Sequence, residues 1–367
     1  MPFIYSLLLN DGFRILLAFL FSLILSLYGI PVLVRIADNH SMYDHPNGRT
    51  THLHPTPRLA GIAMFLGVIL SVSLLSRIDS FPGYQFAVAS SVIIFFIGIK
   101  DDMMGISFSK KFIAQLAAAS ILILFAGYRF TSLHGYFGVH EISYPLSFLI
   151  SLFFIIGITN AFNLIDGVDG LSGSLALTAF ATFGGWFFIN KDYSFALLCA
   201  SAIGSIIAFL RYNLWSVKNK IFLGDTGAQF LGFLMAIVVI RFNEMNLSSS
   251  LPWPVNASPV VSFGILLIPI FDTFRVMLSR ILQGKSPFHP DRTHIHHHLL
   301  CFGLTHRQVT AILFSSSIVY AALAFTLQDM NMYLATFLLV TSALLLSFTL
   351  ISLSRRIPGK EPWKDAG

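Results

Sequence analysis

Apolar residues in this chain do not alternate with polar ones. They run in long blocks separated by short polar clusters, at about 13–35, 59–76, 84–99, 112–128, 145–160, 171–189, 193–210, 227–241, 259–282, 308–327 and 331–353. Crossing a bilayer takes about 20 mostly apolar helical residues, and a half-buried strand would show a period of two, so each block reads as a membrane helix, some of them short. Block 84–99 is flanked by Pro82-Gly83 and Lys100-Asp101, and Pro269 inside the ninth block predicts a kink. The first block is too long for the apolar core of a cleavable signal and reads as the first span. No internal repeat, low-complexity tract or linker interrupts the series. The predicted fold is all-α: a polytopic membrane bundle of about 11 transmembrane helices in one domain, residues 1–354, followed by a short cytoplasmic tail, 355–367.

Composition agrees with a lipid-solvated chain. Of the 367 residues 55% are hydrophobic and only 11% charged, against about 25% charged in a typical soluble domain. The two cysteines, Cys199 and Cys301, lie in or beside apolar blocks without metal-ligand spacing, so neither a disulfide framework nor a thiolate zinc site is implied. With eleven spans the connecting segments form two alternating sets. One set holds five cations, Arg14, Arg77, Arg129, Lys191 and Arg241, and the other holds the remaining 18 of the 23 Lys and Arg residues. The positive-inside rule makes the richer set cytoplasmic, with the N-terminus outside and the C-terminus inside. The net charge of +6 is thus spread over juxtamembrane segments and is explained by topology without nucleic acid as a partner. Anionic headgroups and phosphorylated substrates would both be drawn to the richer face.

Acids, amides and histidines also collect on that face, where Lys or Arg would serve topology better. Five segments carry them. The first, Tyr43-Asp44-His45-Pro46-Asn47-Gly48-Arg49 with His52, His54 and Arg58, reads either as a polar turn or, from its Arg and His content, as a phosphate site. The second, Lys100-Asp101-Asp102, is a solvated helix end or a catalytic base beside a metal-associated carboxylate. In the third, Asn160, Asn163, Asp166 and Asp169 recur every third position, a spacing that a 3₁₀-like turn would keep on one side. Gly167 and Gly170 permit close backbone approach or a break in the helix, and four hydrogen-bonding groups among apolar spans call for a task. The fourth, Phe222-Leu223-Gly224-Asp225-Thr226-Gly227, places a carboxylate where it either caps a helix or joins a metal-bound phosphate at a helix N-terminus. The fifth runs from Ser286 to His298 with Arg292, His294, His296, His297 and His298, a poor match to structural zinc spacing and a better one to a phosphate-binding loop.

These residues resemble the polyprenyl-phosphate N-acetylhexosamine-1-phosphate transferases, the superfamily of WecA, TagO and MraY. The likeness runs from Asp44 to His298. It is most specific at Asn160-Ala161-Phe162-Asn163-Leu164-Ile165-Asp166-Gly167-Val168-Asp169-Gly170, at Phe222-Leu223-Gly224-Asp225, and at Pro290-Asp291-Arg292-Thr293-His294-Ile295-His296-His297. The last segment, with Pro269-Ile270-Phe271-Asp272, is similar to the WecA branch. The resemblance implies a transfer of HexNAc-1-phosphate, foremost GlcNAc-1-phosphate, from a UDP-sugar to undecaprenyl phosphate, releasing UMP, in a bacterial inner membrane with the site on the cytoplasmic face. It implies Mg²⁺, with Mn²⁺ as a substitute, held by Asp225 and Asp166. Asp101, Asp102, Asp166 and Asp169 become catalytic candidates. Asn160, Asn163, Phe222, Arg49, His52, Arg58, Arg292, His294, His296 and His297 become substrate ligands, and a homodimer is among the assemblies the family allows. Ala60 before Gly61, and Thr50-Thr51, depart from the family pattern in the first loop.

Two other readings compete. A UDP-MurNAc-pentapeptide or deoxy-HexNAc donor would keep the chemistry and change the sugar. A lipid-linked sugar transporter would place its charges near the bilayer midplane, whereas here they cluster at span ends.

Overall fold

In a bilayer the backbone must satisfy its own hydrogen bonds, and continuous apolar blocks do so as helices. The computed structural model describes residues 10–40, 56–77, 81–286 and 293–354. These form α1 (Asp11–His40), α2 (Ala60–Leu75), α3 (Tyr84–Met104), α4 (Phe108–Ala126), α5 (Tyr144–Ile165), α6 (Leu171–Ile189), α7 (Tyr193–Trp215), α8 (Gly224–Met245), α9 (Ser258–Ile265), α10 (Leu267–Leu282), α11 (Ile295–Cys301), α12 (His306–Thr326) and α13 (Met332–Ser354). The fold is all-α as expected, and every apolar block falls on a helix. Among the described residues eight helices are long and apolar enough to cross a membrane, namely α1, α4 to α8, α12 and α13, and the bent pair α9–α10 makes nine. That is fewer than the eleven spans expected, because α2 has only 16 residues and α3 ends in Lys100-Asp101-Asp102.

The kink expected at Pro269 is a break of 78° between α9 and α10. Proline has no N–H to give the Ile265 carbonyl, so α9 ends there, and the ladder resumes with the Ile270 N–H on the Leu266 carbonyl at 3.1 Å. α8 is the hub of the bundle, packed against α2, α3, α5 and α6, with Phe230, Phe233 and Phe242 fully buried. A second buried cluster joins Ile165 and Leu171 to α9, α10, α12 and α13 through Val260, Leu267, Leu313 and Leu339. Outward faces keep large apolar side chains such as Phe153, Phe337 and Phe348 exposed, as suits a bundle surrounded by lipid. Helix ends alternate between two ends of the bundle. One end gathers the C-termini of α3 and α5 with the N-termini of α4, α6 and α8, and it carries the polar segments described next.

Candidate active site

Asp101 and Asp102 occupy the last turn of α3, and the structure gives them different tasks. Both Asp102 oxygens face the start of α8, accepting from the Asp225 N–H at 2.8 Å, the Thr226 N–H at 2.9 Å and the Thr226 hydroxyl at 2.6 Å. First-turn N–H groups have no partner within their own helix, so Asp102 caps α8 from a neighbouring helix. Gly224 makes room for it. Its φ of +72° suits glycine, and a Cβ there would stand 2.6 Å from the Asp102 carboxylate. Asp225 is therefore not the cap of its own helix, the alternative its sequence position allowed, since Leu223 holds the N-cap position. Its carboxylate instead meets Lys111 of α4, whose ammonium also reaches Asp101 at 3.0 Å. The Ile106 N–H fixes the other Asp101 oxygen at 3.0 Å.

The third segment is not a 3₁₀ turn. Asn160 and Asn163 lie in the last turns of α5, which ends at Ile165, while Asp166 is its C-cap and Asp169 sits in the loop before α6. Asn160 is committed to helix packing: its amide donates to Gln115 at 2.8 Å, and Gln115 donates to Gln229 of α8 at 3.0 Å. Asn163 is half-buried with no side-chain hydrogen bond among the described residues. Asp166 accepts from the Ser172 hydroxyl at 2.6 Å. Burial drives its carboxyl up to about 8; the Ser172 bond opposes this, and the charges of Asp225, Asp102 and Asp169 add to it. Asp169 behaves oppositely. Burial raises it, but His306 at 3.4 Å and Lys220 at 2.7 Å outweigh that and hold it below the usual carboxylate range.

Lys220 also lies over the Phe222 ring, 5.7 Å from its centroid. The Phe222 N–H bonds the Pro57 carbonyl at 2.8 Å, and the Ala60 N–H returns to the Phe222 carbonyl at 3.2 Å, which brings the half-buried Arg58 to this end of the bundle. Arg49, His52 and Arg292 lie outside the described residues.

The histidine segment closes the site through α11. His294 meets Asp272 of α10 through Nδ1 at 2.8 Å, the Ile295 N–H donates to the same carboxylate at 3.0 Å, and Arg275 holds it at 2.6 Å. The His294 and His296 rings lie parallel with centroids 5.7 Å apart, and His297 is 4.3 Å from His296. His296 is buried against Gly167, where a Cβ would strike its ring, so the glycine admits the histidine into the acidic loop. Burial holds the His296 imidazole neutral, and its Nδ1 has no partner among the described residues. Lys111, Lys220, His306 and Arg275 are site residues that sequence reading did not single out, and Asp272, named there only within a motif, was given no role.

The donor set suits Mg²⁺. Among the described residues no three His, Cys, Asp or Glu side chains converge as a closed cage. Mg²⁺ seldom uses one, taking one or two carboxylates and filling its octahedron with water and substrate phosphate. Asp225 and Asp166 supply hard oxygen donors, and the charges of Asp225, Asp102 and Asp169, which add to the rise that burial causes in the Asp166 carboxyl, are a repulsion that a divalent cation would relieve.

Residues 84–243 match the family described as glycosyl transferase family 4. A protein of Bacillus subtilis named "Probable undecaprenyl-phosphate N-acetylglucosaminyl 1-phosphate transferase" is 34% identical over 331 residues, 89% of this chain and 88% of its own length. An undecaprenyl-phosphate alpha-N-acetylglucosaminyl 1-phosphate transferase of Yersinia pestis is 30% identical over 83% of this chain and 81% of its own, and that of Escherichia coli strain K12 is 29% identical over 79% and 77%.

Proposed function

This chain belongs to glycosyl transferase family 4, and from that premise we propose that it transfers N-acetylglucosamine-1-phosphate from UDP-N-acetylglucosamine to undecaprenyl phosphate. An oxygen of the lipid phosphate attacks the β-phosphorus of the donor, the bond from that phosphorus to the bridging oxygen breaks, and UMP leaves with the electron pair. The observation that carries this reading is the meeting of Asp101, Lys111, Asp225, Asp166, Asp169 and His296 at one end of the bundle, drawn from five separate stretches of chain.

Two phosphorylated substrates repel one another, and the site supplies what brings them together. Mg²⁺ held by Asp225 and Asp166 would screen the diphosphate and the developing charge on UMP. Asp102 fixes the first turn of α8 and so sets where Asp225 stands. Lys220 and His306 hold Asp169 ionised beside Phe222, whose ring offers uracil a stacking face. His296 and Asn163 keep free polar atoms for phosphate oxygens, while Asp272 fixes the ring of His294. A lipid phosphate is already ionised near neutral pH, so positioning by Asp101 matters more than proton removal.

The surplus of Lys and Arg at this end supports a cytoplasmic site in a bacterial inner membrane, with the N-terminus outside. The test is Mg²⁺-dependent release of UMP by membranes given UDP-N-acetylglucosamine and undecaprenyl phosphate, with a panel of UDP-sugars to fix the donor. Asp225→Ala and Asp166→Ala should each lower the rate by at least about a hundredfold. Release at the wild-type rate from either variant overturns the residue assignment.

A further inference from the structure

Behind the contact of Lys111 with Asp225 lies a second contact between the same two helices. Gln115 follows Lys111 by four residues in α4, and Gln229 follows Asp225 by four in α8. Four residues are about one helical turn, a rise of about 6 Å, and both helices run away from the site in the same sense. They meet twice in register, first through Lys111 and Asp225, then through the Gln115 amide, which donates to the Gln229 side-chain carbonyl at 3.0 Å. The Gln115 amide also donates to the Asn160 side-chain carbonyl at 3.4 Å, and the Gln115 carbonyl accepts from Asn160 at 2.8 Å. Asn160 belongs to α5, the helix that ends at Asp166. Gln115 thus joins the helices that carry Lys111, Asp225 and Asp166.

Packing between apolar helices does not call for these amides. α5 and α8 approach closely at Gly232, where a Cβ would stand 2.8 Å from the Thr159 Cα, so their spacing is set without glutamine. α4 packs on α3 and α5 and reaches α8 through the long side chains of Lys111 and Gln115. Gln115 is 2% exposed and Gln229 fully buried. Amides so placed among apolar spans are costly unless bonded, and once bonded they select one arrangement of the helices that carry them. Apolar residues at both positions would fill the space without that cost. A rotation or slide of α4 that carried Lys111 away from Asp225 would also part Gln115 from Gln229 and Asn160.

We propose that Gln115, Gln229 and Asn160 are positioning residues for the transfer, locking α4 against α5 and α8 so that Lys111 stands between Asp101 and Asp225. This rests on the reading of those acids as part of the transfer site. It gives Asn160 a task that needs no contact with substrate.

The test compares UMP release and thermal midpoint in the full chain, purified in detergent, for Gln115→Met, Gln229→Met and the double variant, each with and without Lys111→Gln. Methionine is unbranched, nearly as long as glutamine, and removes the hydrogen bonds. The double variant leaves neither glutamine facing a lost partner, so it should regain much of the midpoint that either single variant loses. Its kcat should nevertheless stay about tenfold or more below wild type, as in the single variants, with KM for UDP-N-acetylglucosamine within about twofold. In the Lys111→Gln background the same substitutions should change kcat by less than about twofold, because the contact they hold in place is gone. The fall in midpoint caused by Lys111→Gln should be about halved when Gln115 is already methionine. Recovery of kcat together with the midpoint, an effect confined to KM, or losses in midpoint that simply add overturns the proposal. Absence of UMP release from the wild type overturns the transferase reading instead, and the coupling of the midpoints then decides this proposal by itself.

Discussion

At the residue scale the site is a set of carboxylates whose environments drive them apart. Asp169 is kept ionised by Lys220 and His306, whereas Asp166 is pushed towards its neutral form. Lys111 is the residue on which Asp101 and Asp225 both depend, and it was legible in sequence only as one of many topological cations. Nothing local separates it from Lys110, because the pairing partner lies 114 residues away. Lys111→Gln should leave two largely buried carboxylates without a cation and lower stability by about 3 kcal/mol. Mg²⁺ should then raise the thermal midpoint of the variant more than that of the wild type. Equal shifts would separate the cation's site from Asp225. A second prediction concerns His134, in the loop before α5, whose ring burial pushes it from 6.5 down to about 4. The unfolded chain therefore binds more protons than the folded one between those values, so the stability His134 contributes as a neutral ring is present above pH 6.5 and lost as pH falls towards 4. His134→Gln should lose less of its thermal midpoint than wild type between pH 7 and pH 5, and parallel losses would show that other groups govern the acid limb.

At the element scale, function depends on where helices stop. The period-three spacing of Asn160, Asn163, Asp166 and Asp169 marked the right residues for the wrong local structure. The first two are helical and the last two belong to a terminus and a loop, because Gly167 and Gly170 let the chain leave the helix. The pair Asp101-Asp102 was legible as a unit but its division of labour was not, since capping of α8 by Asp102 requires a contact between helices 123 residues apart. This yields a third prediction. Asp102→Asn keeps an acceptor for the Asp225 and Thr226 N–H groups and should retain more activity than Asp102→Ala, which should also lose about 1–2 kcal/mol of stability. If Asp102 were the reacting base, both variants would fall to the same residual rate at unchanged stability. Asp272 shows the same limit from the other side: a lone acid in an apolar block gives no hint of its histidine partner, which is 22 residues on and reached only because α10 and α11 fold back together.

At the scale of the whole molecule, two patterns read from sequence converge with the geometry. Apolar blocks became helices at every position, and the helix ends alternate between a Lys- and Arg-rich end carrying the acids and histidines and an end poor in Lys and Arg. Among the described residues eight helices, or nine with the bent pair, are long and apolar enough to cross a membrane. The full alternation needs α2 and α3 to cross as well, the one short and the other ending in charge, and both are packed against the hub helix α8. Residues 218 and 249, one just before α8 and one just after it, lie on opposite sides of the membrane where α8 crosses it. In a Cys199→Ser/Cys301→Ser background, Ser249→Cys should react with a membrane-impermeant maleimide in intact cells. Lys218→Cys, at an exposed position near the acidic site, should react only after the membrane is opened. Reversed labelling would invert the orientation and place the transfer site on the outer face. Labelling of both from outside would break the eleven-span scheme at α8, the helix whose burial makes it the least free to lie elsewhere.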